Sequence, residues 1–266
     1  MPGQGYQWDA RDYREWSSQQ KKWGRELLAR LHLEGNEHVL DIGCGDGLVT
    51  AELAARLPRG RVLGIDISPH MISLARETFP PEEYPNLSWE VMDAREMTFR
   101  ESFHVAFSNA VLHWIPEQQA VLEGVWRALK PGGRVHFEMG GRGNAARVAM
   151  AMISVMGRPR WNGYFRDFRA PYTFWDRDEY LGMLIDAGFQ PLRVELVPKD
   201  MVHRGREGLA AWIRTTWLPF TQRIPEGERE SFIGEIVDGY LAESPPDEEG
   251  LVHVEAVRLE VEAVKP

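Results

Sequence analysis

Residues 38–50 read HVLDIGCGDGLVT. Three glycines fall within five positions, directly after an apolar run and directly before a helix-forming one. Glycine at that density costs backbone entropy, so it belongs where a chain bends tightly or where something approaches the backbone closely. An apolar run, a glycine turn and a helix in that order open a nucleotide-type βαβ unit. The odd member is Asp41, an acid set inside the apolar run.

The rest of the chain keeps the same rhythm. Trp23, Leu27, Leu28 and Leu31 form one stripe of a helix from about residue 17 to 31. After the glycine turn come GLVTAELAARL as a helix and RVLGIDIS as a second strand. Ser68 followed by Pro69 opens the next helix, as an N-cap with proline in the first turn. LSWEVMDA and Phe103 to Ser108 are further strands. A helix from Pro116 to Leu129 stops at KPGG, and RVHFEMG is the fifth strand. Strands alternating with helices predict an α/β chain with a mostly parallel sheet and helices on both faces. TFWDRDEYLGMLIDAGF then gives a helix, QPLRVELV a sixth strand, and LVHVEAVRLEVEAV a closing strand. The alternation of that last strand changes phase near Ala256, which reads as a bulge or as burial on both sides. Residues 141–172 and 203–245 break the rhythm and read as helical lid insertions in a single domain spanning 1–266, with an N-terminal cap over 1–35.

Acids decide the ligand class. Asp66 ends the second strand, 19 residues after Gly47, where a carboxylate accepts from both hydroxyls of a ribose. The turn is spaced G-x-G-x-G rather than G-x-G-x-x-G, and it carries Asp41 and Asp46 with no nearby base before Arg56. Negative charge beside a pyrophosphate costs about 1 kcal/mol or more per close pair near a surface. A cationic sulfonium amino acid suits the acids, and a dinucleotide does not. Asp93 ends the third strand, placed for an adenine amino group with the Ala94 N–H beside it; Asp66 and Asp93 each also read as helix caps.

In order, VLDIGCGDG, VLGIDIS, VMDA, FSNAVLHWI and LKPGGRVHF resemble the motifs of class I S-adenosylmethionine-dependent methyltransferases, over about residues 6–198. The resemblance implies a Rossmann-like sheet of seven strands with the last antiparallel. It implies S-adenosyl-L-methionine as cofactor, with S-adenosyl-L-homocysteine as product. It sets the Gly43 and Gly45 backbone at the methionine end, Asp66 at the ribose, and Asp93, Ala94 and Met71 at the adenine, with Asp41, Cys44 and Ile67 also among the cofactor-binding residues. Asn109 meets the amino group, and Tyr13, Ser17 and Gln20 close over the cofactor as in a small-molecule branch. Cys44 itself reads as a small packing residue, since nothing nearby suggests a base.

LHWIP resembles carboxyl methyltransferases of the trans-aconitate, juvenile-hormone-acid and malonyl carrier-protein types. That resemblance gives Trp114 an indole N–H for the acceptor carboxylate and His113 a substrate-holding or basic role; packing at the sheet edge is the bland alternative for both. The insertions are expected to form the acceptor pocket, with Arg158, Arg160, Arg166 and Arg169 for an acidic substrate, or Trp161, Tyr164, Phe165, Trp212 and Trp217 for an apolar one. Met150, Met152 and Met156, at near-helical spacing, read as core or as a soft lining under a lid.

Exclusions are fewer. A net charge of -9 disfavours a nucleic-acid partner, as does SNAV in place of an Asn-Pro-Pro-aromatic motif after strand four. One cysteine excludes an internal disulfide and a cysteine zinc site. The N-terminus lacks a signal-peptide pattern, and the longest apolar run is far short of the roughly 20 residues of a membrane span, so a cytoplasmic protein with no membrane partner is expected. Nothing in the chain demands more than a monomer.

Overall fold

A computed structural model describes residues 18–266, which divide into two compact units. The first comprises 18–142, 172–197 and 258–266. It carries α1 (Ser18–Arg30), β1 (His38–Ile42), α2 (Leu48–Ala54), β2 (Arg61–Asp66), α3 (Pro69–Thr78), β3 (Leu87–Val91), β4 (Phe103–Asn109), α4 (Gln118–Ala128), β5 (Leu129–Gly140) and α6 (Arg177–Asp186), with parts of β6 (Gln190–Arg204) and β7 (Leu251–Val264). The seven strands form one sheet in the order β3-β2-β1-β4-β5-β7-β6. Pairs among β1 to β5 are parallel, and β7 is antiparallel to β5 from Arg134↔Val264 to Gly140↔Arg258. The Rossmann-like sheet with an antiparallel last strand is therefore as the sequence predicts.

Strand periodicity sorts the two faces. Leu40 and Ile42 of β1 join Ala106, Phe137, Leu259 and Val261 in a core closed by Val121, Val125, Tyr180 and Leu184. Val39, Val105 and Phe107 face the other way, against Leu27, Leu28, Leu53 and Ile72. Asp41 points to this second side, where the Thr50 hydroxyl of α2 donates to it at 2.6 Å, which explains how an acid sits in a buried strand. Ser68 caps α3 and Pro69 occupies its first turn, as expected. A reciprocal pair, Asp176 with Glu179, starts α6.

KPGG is not a separate turn. It lies inside β5, which begins at Leu129 and bulges before Arg134. The bulge is stitched to the chain end: Gly132 N–H donates to the Lys265 carbonyl, Lys265 N–H to Gly133, and Lys265 Nζ to Leu129, with Gly132 at φ 76°. In β7 the inward-outward alternation of 252–256 gives way to continuous burial from Arg258 to Val261, which selects burial on both sides from the two expectations for that strand.

The second unit, among described residues, comprises 143–171 and 198–257, so both irregular stretches of the sequence contribute to it. It holds α5 (Ala146–Met156), α7 (Gly205–Thr216), α8 (Leu218–Thr221) and α9 (Glu226–Glu243). Val148, Met152 and Val155 make the buried stripe of α5, at i, i+4 and i+7. Met150 and Ile153 fall on the opposite face and are exposed, which corrects the expectation that Met150 is core. No helix among the described residues is long and apolar enough to cross a membrane.

Candidate active site

The carboxyl ends of β1, β2, β3 and β4 gather the residues that the sequence marks for a cofactor. Gly43, Gly45 and Gly47 all have positive φ, but they serve different ends. A Cβ on Gly43 would lie 2.4 Å from Val111, and one on Gly47 2.6 Å from Trp89. A Cβ on Gly45 would meet nothing. So Gly43 and Gly47 are glycine because neighbours fill the space, and Gly45 is the glycine that faces open room. Val111 reaches Gly43 because Ala110 turns the chain in the left-handed region, at φ 60°, as β4 ends. Gly45→Ala is expected to fold with about 1 kcal/mol less stability, the cost of a left-handed alanine. It should weaken cofactor binding by more than that; an unchanged dissociation constant by calorimetry would contradict the assignment.

The turn spends its donors internally. Gly43 and Cys44 N–H donate to the Ile65 carbonyl, Gly47 N–H to Cys44, and Gly45 N–H to the Asp66 carboxylate at 3.0 Å. Leu48 N–H, at the start of α2, donates to Asp46. Asp66 also accepts from Ser68 N–H at 2.8 Å. What remains is a rim rich in acceptors, with Asp41, Asp46 and Asp66 around it. Such a rim suits an ammonium or sulfonium group and offers little to a pyrophosphate, whose seat needs unspent N–H groups. Burial pushes Asp41 up to about 7, against the pull of Thr50 and with a push from Asp66. Burial also raises Asp66, opposed by its two N–H donors. Cys44 is a buried thiol with its pKa raised, chiefly by burial, so it packs and does not react.

Farther along the strand ends, Asp93 accepts from Arg95 N–H and pairs with its guanidinium at 2.6 Å, which holds the carboxyl below the usual range. The cap reading of Asp93 is thus what the structure displays. At the ends of β2 and β3, Ile67 and Val91 are 63% and 46% exposed, an apolar surface that a flat base can cover, while Met71 and Ala94 are buried. Asn109 ends β4 and comes against α1, where a Cβ on Gly24 would lie 2.8 Å from its Nδ2. Gln20 lies in α1; Tyr13 and Ser17 lie outside the described residues.

Beyond β4, Leu112–Trp114 form a 3-10 turn. His113 stacks on Phe174, with centroids 5.7 Å apart and planes at 29°. Trp114 meets Tyr172 edge to face at 4.5 Å, and Thr173 N–H donates to the His113 carbonyl. The segment before α6 therefore supplies Tyr172 and Phe174, which the sequence reading did not single out. Gly140 N–H donates to His113 Nδ1 at 3.3 Å, which leaves the ring proton on Nε2. Burial, aided by the charge of Arg258, lowers the His113 pKa to about 3. A ring held that way donates a hydrogen bond through Nε2 and is a poor base.

The insertion residues behave otherwise. Arg158 pairs with Glu235 at 2.7 Å, and Arg160 with Glu228 at 3.2 Å. Trp161 has no exposed surface, donates its Nε1–H to Glu235 at 3.0 Å and meets Phe232 edge to face. Trp217 is buried against Trp212 and Phe220. Trp161 and Trp217 are thus packed inside the second unit rather than presented as a wall, while Arg158 and Arg160 are exposed and ion-paired. Tyr164 is half-buried, its carbonyl accepting from Arg223, and Arg166 is exposed.

A family model described as a methyltransferase domain matches residues 39–133. An uncharacterized methyltransferase of Schizosaccharomyces pombe is 34% identical over 223 residues, 82% of this chain and 84% of that one. Trans-aconitate 2-methyltransferase of Methylobacterium nodulans is 30% identical, over 95% and 96% of the two chains. Among solved structures, the [4+2]-cyclase SpnF matches with a TM-score of 0.59 at 17% identity, over 92% of this chain and 80% of that one. That last likeness concerns fold alone, and it illustrates that the fold carries more than one chemistry.

Proposed function

We propose, for a chain that belongs to the class I S-adenosylmethionine-dependent methyltransferases, that the methyl group goes to a carboxylate oxygen of a small acid. The cofactor is S-adenosyl-L-methionine and the acceptor is a small molecule. When bound, the cofactor supplies an electrophilic methyl on a cationic sulfur. Asp41, Asp46 and the carbonyls of the turn provide the anionic surroundings for that charge. Asp66 is the residue for the ribose, and Ile67 with Asp93 for the adenine.

What supports the acceptor assignment is the seat of His113, whose Nδ1 accepts from Gly140 N–H so that Nε2–H is left to donate. A hydroxyl or protonated amine acceptor has to lose a proton, and it needs a base with a pKa near the working pH. His113, lowered to about 3, is no such base. A carboxylate is already ionised at neutral pH and needs only orientation, which a neutral Nε2–H donor beside the Trp114 indole can give it. The name of the relative from Methylobacterium nodulans, a trans-aconitate methyltransferase, supports the same class. Tyr164, Arg166 and the stretches 141–172 and 203–245 are the parts we assign to acceptor choice, in a single functional domain.

At saturating cofactor, kcat with a panel of small di- and tricarboxylic acids, trans-aconitate first, is expected to stay level from pH 6 to 8 and to yield a base-labile methyl ester by mass spectrometry. A rate that climbs with pH, or a base-stable product, would move the assignment to a hydroxyl, nitrogen or carbon acceptor. Absence of cofactor binding at millimolar concentration would instead leave a non-catalytic module of the same fold.

A further inference from the structure

The face of the sheet on the α1 side changes character from strand to strand. Over β1 and β4 it is apolar, with Val39, Val105 and Phe107 packed against Leu27 and Leu28. Over β5 and β7 it is charged. Val135, Phe137, Leu259, Val261 and Ala263 fill the core on the far side, so alternation turns Arg134, His136, Glu138, Arg258, Glu260 and Glu262 toward the near one. These charges pair in rows until the last. Arg258 Nε donates to Glu138 at 3.2 Å, and Arg30 of α1 and Arg193 of β6 both pair with Glu260. Glu262 then stands opposite His136 in the ladder, with Arg134 two residues away on β5. Neither Glu262 nor Arg134 has an ion pair among the described residues, although long side chains on such diagonal neighbours can reach one another. Both line a cavity of about 500 Å³, together with Arg30, His32, His136 and Leu192. This is not the cofactor edge. His136 lies opposite Phe107 of β4, and β5 rises about 13 Å from there to Gly140 at its carboxyl end.

We propose that this cavity is a second ligand site, and that it takes a small zwitterion of the free amino acid class, with the carboxylate on Arg134 and the ammonium on Glu262. Nothing in it depends on which acid accepts the methyl group. The Arg134 guanidinium uses one N–H on the His32 carbonyl, at 2.9 Å, and its remaining donors suit a carboxylate. His136 is 6% exposed and makes no hydrogen bond with a described residue. Burial first, and then the charges of Arg134 and Arg30, lower its pKa to about 4, so the ring is neutral and has an N–H to offer an oxygen. Arg30 is committed to Glu260, which leaves Arg134 and Glu262 as the unpaired fixed charges of the described lining. A simple anion would meet repulsion from Glu262, and a simple cation would meet it from Arg134. A molecule that carries both charges satisfies both. Leu192, 60% exposed, offers a surface to its apolar part.

The test uses the full-length protein near pH 7 with S-adenosylhomocysteine saturating the cofactor site, because a free amino acid could also enter the methionine end there. L-leucine is the probe. Isocaproate and isoamylamine are the same skeleton without the ammonium or without the carboxylate. By calorimetry, L-leucine is expected to bind with a Kd of about 1 mM or tighter, and each single-charge analogue about tenfold more weakly. Arg134→Met and Glu262→Gln should each weaken L-leucine about tenfold, while the S-adenosylhomocysteine Kd of either variant stays within about twofold of the parent's. The bound carboxylate also brings a negative charge to His136. The titration midpoint of that ring, its signal identified by loss in His136→Gln, should therefore rise with ligand. If isocaproate binds as tightly as L-leucine, the cavity is a site for simple anions and the proposal fails. Undiminished L-leucine binding to both variants places the ligand elsewhere and overturns it as well. Should L-leucine not bind, saturation-transfer spectra of the other free amino acids at about 10 mM decide the matter, and the absence of any binder overturns the site.

Discussion

Asp66→Ala is expected to weaken S-adenosylmethionine binding by about 3 kcal/mol, roughly a hundredfold, as measured by calorimetry at pH 7.5. Two losses combine. The carboxylate accepts from Gly45 and Ser68 N–H groups, so it fixes both the open glycine of the turn and the start of α3. It is also the acid at the end of β2 assigned to the ribose hydroxyls. Asp66→Asn retains an acceptor for Gly45 and should fall between. A second readout separates loss of contact from general disturbance. Asp41 sits in the same pocket of charge, raised to about 7 by burial first and by Asp66 as a lesser cause. Between about pH 4 and 7 the folded protein therefore holds a proton there that the unfolded chain has released. Arrival of a cation at the rim favours the ionised form, so cofactor binding at pH 6 should expel that proton. The calorimetric enthalpy would then vary with the ionisation enthalpy of the buffer. Without Asp66 the proton leaves more readily before binding, and the buffer dependence should shrink. An Asp66→Ala protein that binds as tightly as the parent would remove the residue from the site.

Local signals were read well where the physics is local. Ser68 and Pro69 mark the start of α3 because capping and proline φ act within one turn. The glycine turn and the acids at the strand ends mark the cofactor side because a strand, a turn and a helix fix one another over short range. The individual roles of the glycines were not legible. Gly43 answers to Val111, delivered by a left-handed alanine after β4, and no property of residues 38–50 contains that. The same limit governs the charges. Arg158 and Arg160 look available in GRPRWNGYFRDFR because their partners, Glu228 and Glu235, lie about seventy residues downstream. Arg258 and Glu138 look like solvated charges on strands, although each is buried against the other. Their one sequence signal is position: Arg258 stands within the valine-rich VRLEVEAV and Glu138 within RVHFEMG, where a buried strand would be uniformly apolar. His113 stood out in the sequence, but its donor form did not, since its tautomer depends on one N–H from β5.

Trp161→Ala should lower stability by about 3–5 kcal/mol, the range for emptying a buried tryptophan site, and this is a large share of the roughly 5–15 kcal/mol that holds a typical domain folded. The side chain has no exposed surface, and its neighbours are set around it. Phe232 of α9 meets the ring edge to face at 5.3 Å, and Arg160 lies over the ring at 4.2 Å from its centroid. The indole N–H donates to Glu235, which also takes Arg158. Glu235 is held below the usual carboxylate range, first by that indole N–H. Removing the ring leaves a cavity between α9 and the segment after α5, and it takes one of the donors from Glu235. Trp161→Phe keeps the contact with Phe232 and forgoes the hydrogen bond, so it should cost about 1–2 kcal/mol. Denaturant unfolding with an unchanged m-value measures both. The outcome also separates two views of the segment. If Trp161 walled the acceptor, its loss would raise the acceptor KM and leave the unfolding midpoint near the parent's. The packing instead predicts a shifted midpoint, with cofactor affinity within about twofold of the parent at temperatures where the variant remains folded.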